Sequence, residues 1–322
     1  AVQLSPDTRA GNWDACSGYH YNDTTLKGFS HTHLSGTGCI DLGDILFRPT
    51  TLKPDLTTES IYQPAAFSHK DEDASAGYYS VVLKEEGIKA ELTVTAHAGM
   101  HRYTFPSGKE ASIIIDLTHL LDNEYIYEAE LEQTAANEIT GMRRTRGWTD
   151  NQYVYFVAQF SKPFQAIDFI QNKKMVSAGV KLNGTDLQAC LSFDNSNGEP
   201  VIAKVGLSIV SEKNARENLE TEVIGFDFDA VRSAARSAWE QALSAITVKG
   251  GNTDDLKNFY TAMYHSMVVP NVVSDVNGEY RRHNMEIGQL PKGKVQYSTF
   301  SLWDTFRAWN PLMTLIELWS II

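Results

Sequence analysis

The chain contains 322 residues with a mass of 35.9 kDa, and 42% of its residues are hydrophobic, enough to bury a sizeable core and, at this length, to build two domains. A formal charge of −12 and a pI near 5.2 exclude phosphate backbones and anionic membrane surfaces as partners, so no nucleic acid is expected and neutral ligands are favoured. The longest apolar runs, such as VYFVAQF at 154–160, fall far short of the roughly 20 residues that a bilayer crossing needs, and no membrane span is expected.

The opening stretch AVQLSPDTR lacks the basic, apolar and small-residue regions of a secretory signal, which leaves export open. Cys16, Cys39 and Cys190 are too few and too scattered for a disulfide framework or a CxxC zinc site. GFSHTHLSGTG at 28–38 sets His31 and His33 on one face of an extended strand, where they could share a zinc ion. Such a site needs a third or fourth ligand, and nothing in the sequence brings His97 or His101 near. The serine and glycines that follow read as a loop that lets backbone approach a ligand.

From about residue 45 to 210 the pattern is short β-type runs between turn residues. YYSVVLKEEGIKAELTVTAHAG predicts a hairpin around Glu86-Gly87, and ASIIIDLTH, QYVYFVAQFS, QAIDFIQN, MVSAGVKLNG, LQACLSFD and VIAKVGLSIV follow at close spacing. Many short strands in this arrangement predict an antiparallel sandwich. After Val210 the period becomes helical. Phe228, Val231, Ala235, Trp239, Leu243 and Ile246 form one stripe, with Asp227 or Asp229 placed to cap it, and this helix is expected to leave the sandwich. A second stripe runs through Leu256, Phe259, Tyr260, Met263 and Met267 and stops before Pro270. A third runs through Leu302, Phe306, Trp309, Met313 and Ile316; either Asn310 caps a new helix with Pro311 first in it, or one helix kinks there. This third stripe has too few neighbours in the chain to cover it and is expected to be substantially exposed.

YSTFSLWDTFRAWNPL at 297–312 carries the most unusual chemistry. Asp304 sits three residues after Ser301, as in a capping box, and three before Arg307, as in a surface ion pair. The functional alternative makes Trp303 an aromatic platform for a sugar face and Asp304 the acceptor of its hydroxyls. SDVNGEYRRH at 274–283 hints at calcium through Asp275 and Asn277, but the EF-hand spacing fails and a turn at Asn277-Gly278 is the better reading. Asp116 and the acids of NEYIYEAELE could be paired glycosidase carboxylates; a solvated strand edge explains them more cheaply.

Taken together, VQLSPDTR, SGYHYND, GFSHTHLSGTGCIDLGDI, FYTAMYHSMVVPNVVSDVNGEYR and YSTFSLWDTFRAWNPLMTLI closely resemble the glycoside hydrolase family 92 exo-α-mannosidases. The resemblance implies a mainly β chain: an N-terminal antiparallel β-sandwich over 1–225, a linker helix over 226–250, and at 251–322 the first helices of an incomplete (α/α)6 toroid. It also implies a calcium-dependent, inverting exo-α-mannosidase acting on mannose-containing glycans, exported to the periplasm or the extracellular space. The general acid, the general base and most calcium ligands are expected beyond residue 322, so none is assigned and residues 1–322 alone are expected to be inactive. Trp303, Asp304, His31, His33 and Arg307 carry over as the substrate-binding side of the sugar pocket. The rest of the polypeptide, or another chain, is the expected cover for the toroid helices. A non-catalytic carbohydrate-binding sandwich and part of a glycoside phosphorylase are the alternatives.

Overall fold

The computed structural model describes residues 2–11, 13–34, 40–52, 63–122, 125–176, 181–299 and 301–316. Among them, two antiparallel sheets lie face to face. One orders its strands Ser5–Asp7, Gly28–Ser30, Leu46–Thr50, Ala111–Asp116, Leu187–Phe193, Ala166–Gln171, Lys174–Val176. The other runs Leu182–Gly184, Tyr125–Ala135, Glu138–Arg146, Gln152–Phe160, Val201–Ser208, Ala98–Thr104, Ile88–Val94, Tyr78–Leu83, Glu72–Ser75. The mainly β, antiparallel sandwich expected from the sequence is the fold.

Alternation explains how the two faces are divided. Val154, Phe156, Ala158 and Phe160 point inward from one sheet, Ile113, Ile115 and Phe47 from the other, and the Phe47 and Phe160 rings stack at 6.2 Å across the core. Each of the valine, isoleucine and phenylalanine side chains, fully buried, contributes on the order of 2 kcal/mol. Asp116 belongs to this interior sheet: it is 1% exposed, paired on both sides, and accepts from the Thr118 amide and hydroxyl. The solvated-edge reading of Asp116 is therefore corrected. The strand is central, and Asp116 is satisfied by its own turn and by the Gln188 side-chain amide of the neighbouring strand.

A first helix, α1 (Glu212–Glu222), follows the last strand and carries little apolar period, burying Ala215 and Leu219 beside Asn214 and Asn218. Ser211 caps it by accepting from the Asn214 amide at 3.1 Å. It lies on the outer face of the larger sheet because Gly206 is bare there; a Cβ would come within 2.6 Å of the Leu219 Cβ. Helix α2 (Phe228–Leu243) is capped by Asp227. It does not leave the sandwich at once. Asp229 pairs with Arg102 at 2.8 Å, and the Arg232 guanidinium sits 3.5 Å from the Tyr78 ring centre.

Helix α3 (Thr253–Met267) starts with a reciprocal capping box between Asn252 and Asp255. The loop beyond it carries a hairpin, Glu279–Arg281 with Ile287–Gln289. The 297–316 region forms two helices, α4 (Leu302–Thr305) and α5 (Trp309–Leu315), so Pro311 falls in the first turn of α5, which begins two residues earlier than Pro311-first capping would place it. In the third stripe Leu302 is 71% and Phe306 55% exposed, as expected, but Met313 is buried.

Candidate functional site

His31 and His33 are separated only by Thr32 in the strand-to-loop passage at 31–34, yet each belongs to a different buried network. The His31 ring lies wholly inside the sandwich. Its Nδ1–H donates to the Ile45 carbonyl at 2.7 Å, so Nε2 is the acceptor facing His101 Nε2 at 3.0 Å, and His101 Nδ1 in turn accepts from the Tyr103 hydroxyl at 2.7 Å. His101 thus does approach His31, 70 positions away, through strand pairing no local pattern reveals. Burial pushes His31 down to about 4, the Ile45 carbonyl resisting, and pushes His101 well below the usual histidine value, with His31 adding to it. The expectation that His31 touches sugar gives way to a place in the core.

His33 is the hub of an ion cluster. Its Nδ1 faces the Gln3 carbonyl at 2.6 Å and its Nε2 faces Asp7 at 2.6 Å, while the second Asp7 oxygen takes His119 at 2.8 Å. Both acceptors favour the imidazolium. Burial works to lower His33, but the Asp7 charge and hydrogen bond outweigh it and the net shift is upward. Burial likewise works to raise Asp7, and His33 with His119 instead holds it well below the usual carboxylate range. His33 is 5% exposed and its ring nitrogens are committed to these partners, so its role here is to fix the chain, not to meet a ligand. Alongside, Arg143 pairs with Asp44 at 2.8 Å and donates to the Leu117 and His119 carbonyls, and Asp44 also accepts from Thr32 and Gln152. Asp7, Asp44, His119 and Arg143 were not legible as a group, since their sequence separations exceed 100 residues for some pairs. The Ser35–Gly38 loop lies outside the described residues.

Trp303, Asp304 and Arg307 project from and just beyond α4. Trp303 is 80% exposed, and Asp304 and Arg307 are exposed. Ser301 makes no side-chain capping bond, which removes the capping-box role. The Arg307 guanidinium lies 5.4 Å from the Phe306 ring centre, and among the described residues it forms no ion pair with Asp304. Among the described residues, no capping bond or ion pair thus claims this Trp–Asp pair.

The two groups are connected. Gln3, whose carbonyl holds His33, donates its side-chain amide to Asn271 at 3.2 Å. Asn271 exchanges bonds with Ser298, its amide donating to Ser298 Oγ and its carbonyl accepting from the Ser298 amide at 2.7 Å. Ser298 stands five residues before Trp303.

As for metal, among the described residues no three His, Cys, Asp or Glu side chains converge as a cation site. Asp275 gives both oxygens to Ser208, Asn214 and Asn218, and Asn277 Oδ1 accepts from the Glu279 amide. The loop is a turn, with Gly278 at φ 85° donating to the Asp275 carbonyl. Calcium takes six to eight oxygens, and these residues do not form that cage.

Comparison with known proteins accounts for both halves. The glycosyl hydrolase family 92 N-terminal domain matches residues 1–208, and the family 92 catalytic domain matches 214–319. A family GH92 α-mannosidase from Bacteroides thetaiotaomicron is 38% identical over 97% of this chain and 43% of its own, with a TM-score of 0.91; it has also been solved in complex with mannoimidazole. A second family member, ccman5, is 26% identical over 94% of this chain and 42% of its own, with a TM-score of 0.82. An uncharacterized secreted glycosidase from Arthroderma benhamiae is 30% identical over 91% of this chain. The chain spans 41–43% of the length of these relatives. On the strength of the N-terminal match, which takes in most of the sandwich, and of the catalytic-domain match that continues it, the chain belongs to glycosyl hydrolase family 92.

Proposed function

We propose that the polypeptide carrying this chain is an exported exo-α-mannosidase that releases terminal α-mannose from glycans with inversion, and that residues 1–322 supply one wall of its sugar site. The observation that carries this is the Trp303–Asp304 pair: an 80% exposed indole beside an exposed carboxylate, with no capping bond at Ser301, on a chain 38% identical to a mannosidase solved with mannoimidazole. An exposed indole offers a flat apolar face to the C–H groups of a sugar ring, and the neighbouring carboxylate accepts from its hydroxyls. Both gain strength only once water is excluded, so their energy is realised when a sugar and the opposite wall close over them. Arg307, three residues on, adds a donor for ring or hydroxyl oxygens.

Inverting hydrolysis requires one carboxylic acid to protonate the leaving oxygen and a carboxylate to activate water on the other ring face, roughly 6.5–9.5 Å away. In this proposal those groups, and the ligands of a calcium ion that would hold vicinal hydroxyls, come from the part of the relatives' length that this chain does not span. The residues described here position the sugar; they move no proton.

The test is hydrolysis of an aryl α-mannoside, followed by NMR to identify the first anomer released, using a polypeptide extended to the relatives' length and the 322-residue chain side by side, with calcium and with chelator. The expected result is β-mannose from the extended protein only, lost with chelator. Activity on phosphorolysis but not hydrolysis, or none on any α-mannoside, would overturn it.

A further inference from the structure

The buried carboxylate of Asp275 lies where the sandwich, α1 and the loop leading to α4 meet, and the helical segment's own chemistry does not require it. It is 6% exposed, and its two oxygens accept from the Ser208 hydroxyl at 2.7 Å, the Asn214 amide at 2.8 Å and the Asn218 amide at 2.7 Å. Ser208 ends the last sandwich strand, and the two asparagines lie on α1. One residue earlier, the Ser274 carbonyl faces His97 Nε2 at 2.8 Å; the other ring nitrogen of His97 faces Glu222, the last residue of α1, at 2.6 Å. The 271–275 stretch then pairs with 296–298: Val273 donates to the Gln296 carbonyl, Gln296 donates to Ser274 Oγ, and Val272 bridges Tyr297. Three residues separate Ser298 from α4, the helix that carries Trp303 and Asp304.

We propose that Asp275, seconded by His97, is a positioning residue that sets the register of the 296–305 segment against the sandwich and so places Trp303 and Asp304; its consequence for catalysis rests on the mannosidase reading above. A carboxylate is the group this junction needs. Three donors converge on it, and an apolar or amide side chain of the same size would leave at least one buried donor facing no acceptor. Such bonds are lost by displacements of less than an ångström, so they fix a position that apolar packing leaves free to slide.

The substitution is Asp275→Asn, with Ser208→Ala as the milder variant that removes one donor and leaves the carboxylate. Hydrogen exchange on the 322-residue chain reads the positioning directly, whether or not the mannosidase reading holds. Peptides covering 271–275 and 296–305 are expected to exchange at least tenfold faster in Asp275→Asn, with strands 111–116 and 152–160 unchanged, and Ser208→Ala is expected to show a smaller effect at the same peptides. In the extended polypeptide, Asp275→Asn is expected to raise KM for an aryl α-mannoside about tenfold at a temperature where the protein is fully folded. Unchanged exchange at 296–305, or acceleration spread evenly through the sandwich, would overturn the proposal, as would an active enzyme with unaltered KM. An extended wild type without α-mannosidase activity would sink the functional reading alone and leave the exchange result to decide the positioning.

Discussion

Replacing Asp7 by asparagine tests the ion cluster beneath the His31–His33 segment with no change of volume. Asp7 is fully buried and holds His33 at 2.6 Å and His119 at 2.8 Å, so Asp7→Asn leaves the His33 imidazolium facing an amide inside the protein. Removing one partner of a buried pair costs about 3–5 kcal/mol, because the remaining charge loses its compensation. That is a large part of the 5–15 kcal/mol by which domains are typically stable. The pH dependence has a definite sign. His33 is raised in the folded state, so its contribution is whole below the ordinary histidine value of 6.5 and is lost as pH rises through the folded value. Asp7 is depressed, so its contribution is present above the ordinary 3.8 and is lost as pH falls through its folded value. The difference between wild type and Asp7→Asn is therefore expected to be greatest near pH 5.5 and smaller at a second, alkaline pH above the raised folded-state value of His33. Urea unfolding followed by far-UV circular dichroism at the two pH values measures it. A loss below about 1 kcal/mol near pH 5.5, or the same loss at both values, would refute the cluster's electrostatic role.

Three further outcomes are expected. Asp304→Ala in the extended polypeptide should lower kcat/KM by a factor of about 10 to 150, equivalent to about 1.5–3 kcal/mol of charge-assisted hydrogen bonding, while the Tm stays nearly constant, because Asp304 is exposed and Ser301 makes no capping bond; kinetics and melts on the same sample separate binding from stability. Since burial holds His31 down to about 4, stability should fall as pH drops from 6.5 toward 4 by up to about 1.4 kcal/mol per unit, and His31→Gln should flatten that slope in a pH series of urea titrations. Arg143→Met strands the buried Asp44 carboxylate and should lower Tm on the order of 10 °C by calorimetry.

What the sequence revealed and what it hid divide along physical lines. Period-2 runs such as QYVYFVAQFS and VIAKVGLSIV were legible because a buried face must be apolar at alternate positions, and the strands fell at 152–160 and 201–208. Helix α1 was not, because asparagines stand where an apolar stripe would continue; Asn214 and Asn218 are buried for their hydrogen bonds to Asp275. Asp116 misled for the mirrored reason: an acid at the end of IIID looks like an edge until the pairing with Leu46–Thr50 and Leu187–Phe193 puts it in the middle of a sheet. The histidines show the same limit at the site. Two positions apart and alike in type, His31 and His33 are driven in opposite directions, one toward the neutral form by burial among His101 and Tyr103, the other toward the imidazolium by Asp7. Only long-range pairing assigns those neighbours. Trp303 and Asp304 could be singled out because they are consecutive and local.

The junction between sandwich and helical segment is rich in polar contacts: Gln3 with Asn271, His97 with Ser274, Asp275 with Ser208 and α1, and Arg281 with the Ile209 and Val210 carbonyls. On the proposed mannosidase reading, a site assembled from two domains explains that choice. Apolar surfaces attract without direction, and a junction made of them alone would keep its energy while sliding by an ångström. A carboxylate meant for a particular sugar hydroxyl must be held to within about 0.5 Å. Hydrogen bonds between named partners supply that register, at the cost of burying groups such as Asp275 that are tolerable only while fully satisfied. Substitutions in the sandwich core and at the junction should therefore differ in kind. Phe160→Ala would lower stability by about 3–5 kcal/mol while leaving KM for a mannoside nearly unaltered below the melting point, whereas Gln3→Leu, which removes the bond to Asn271, should change KM more than Tm. If both raised KM in proportion to the stability they cost, register at the junction would have no separate meaning and the polar contacts would be no more than cohesion.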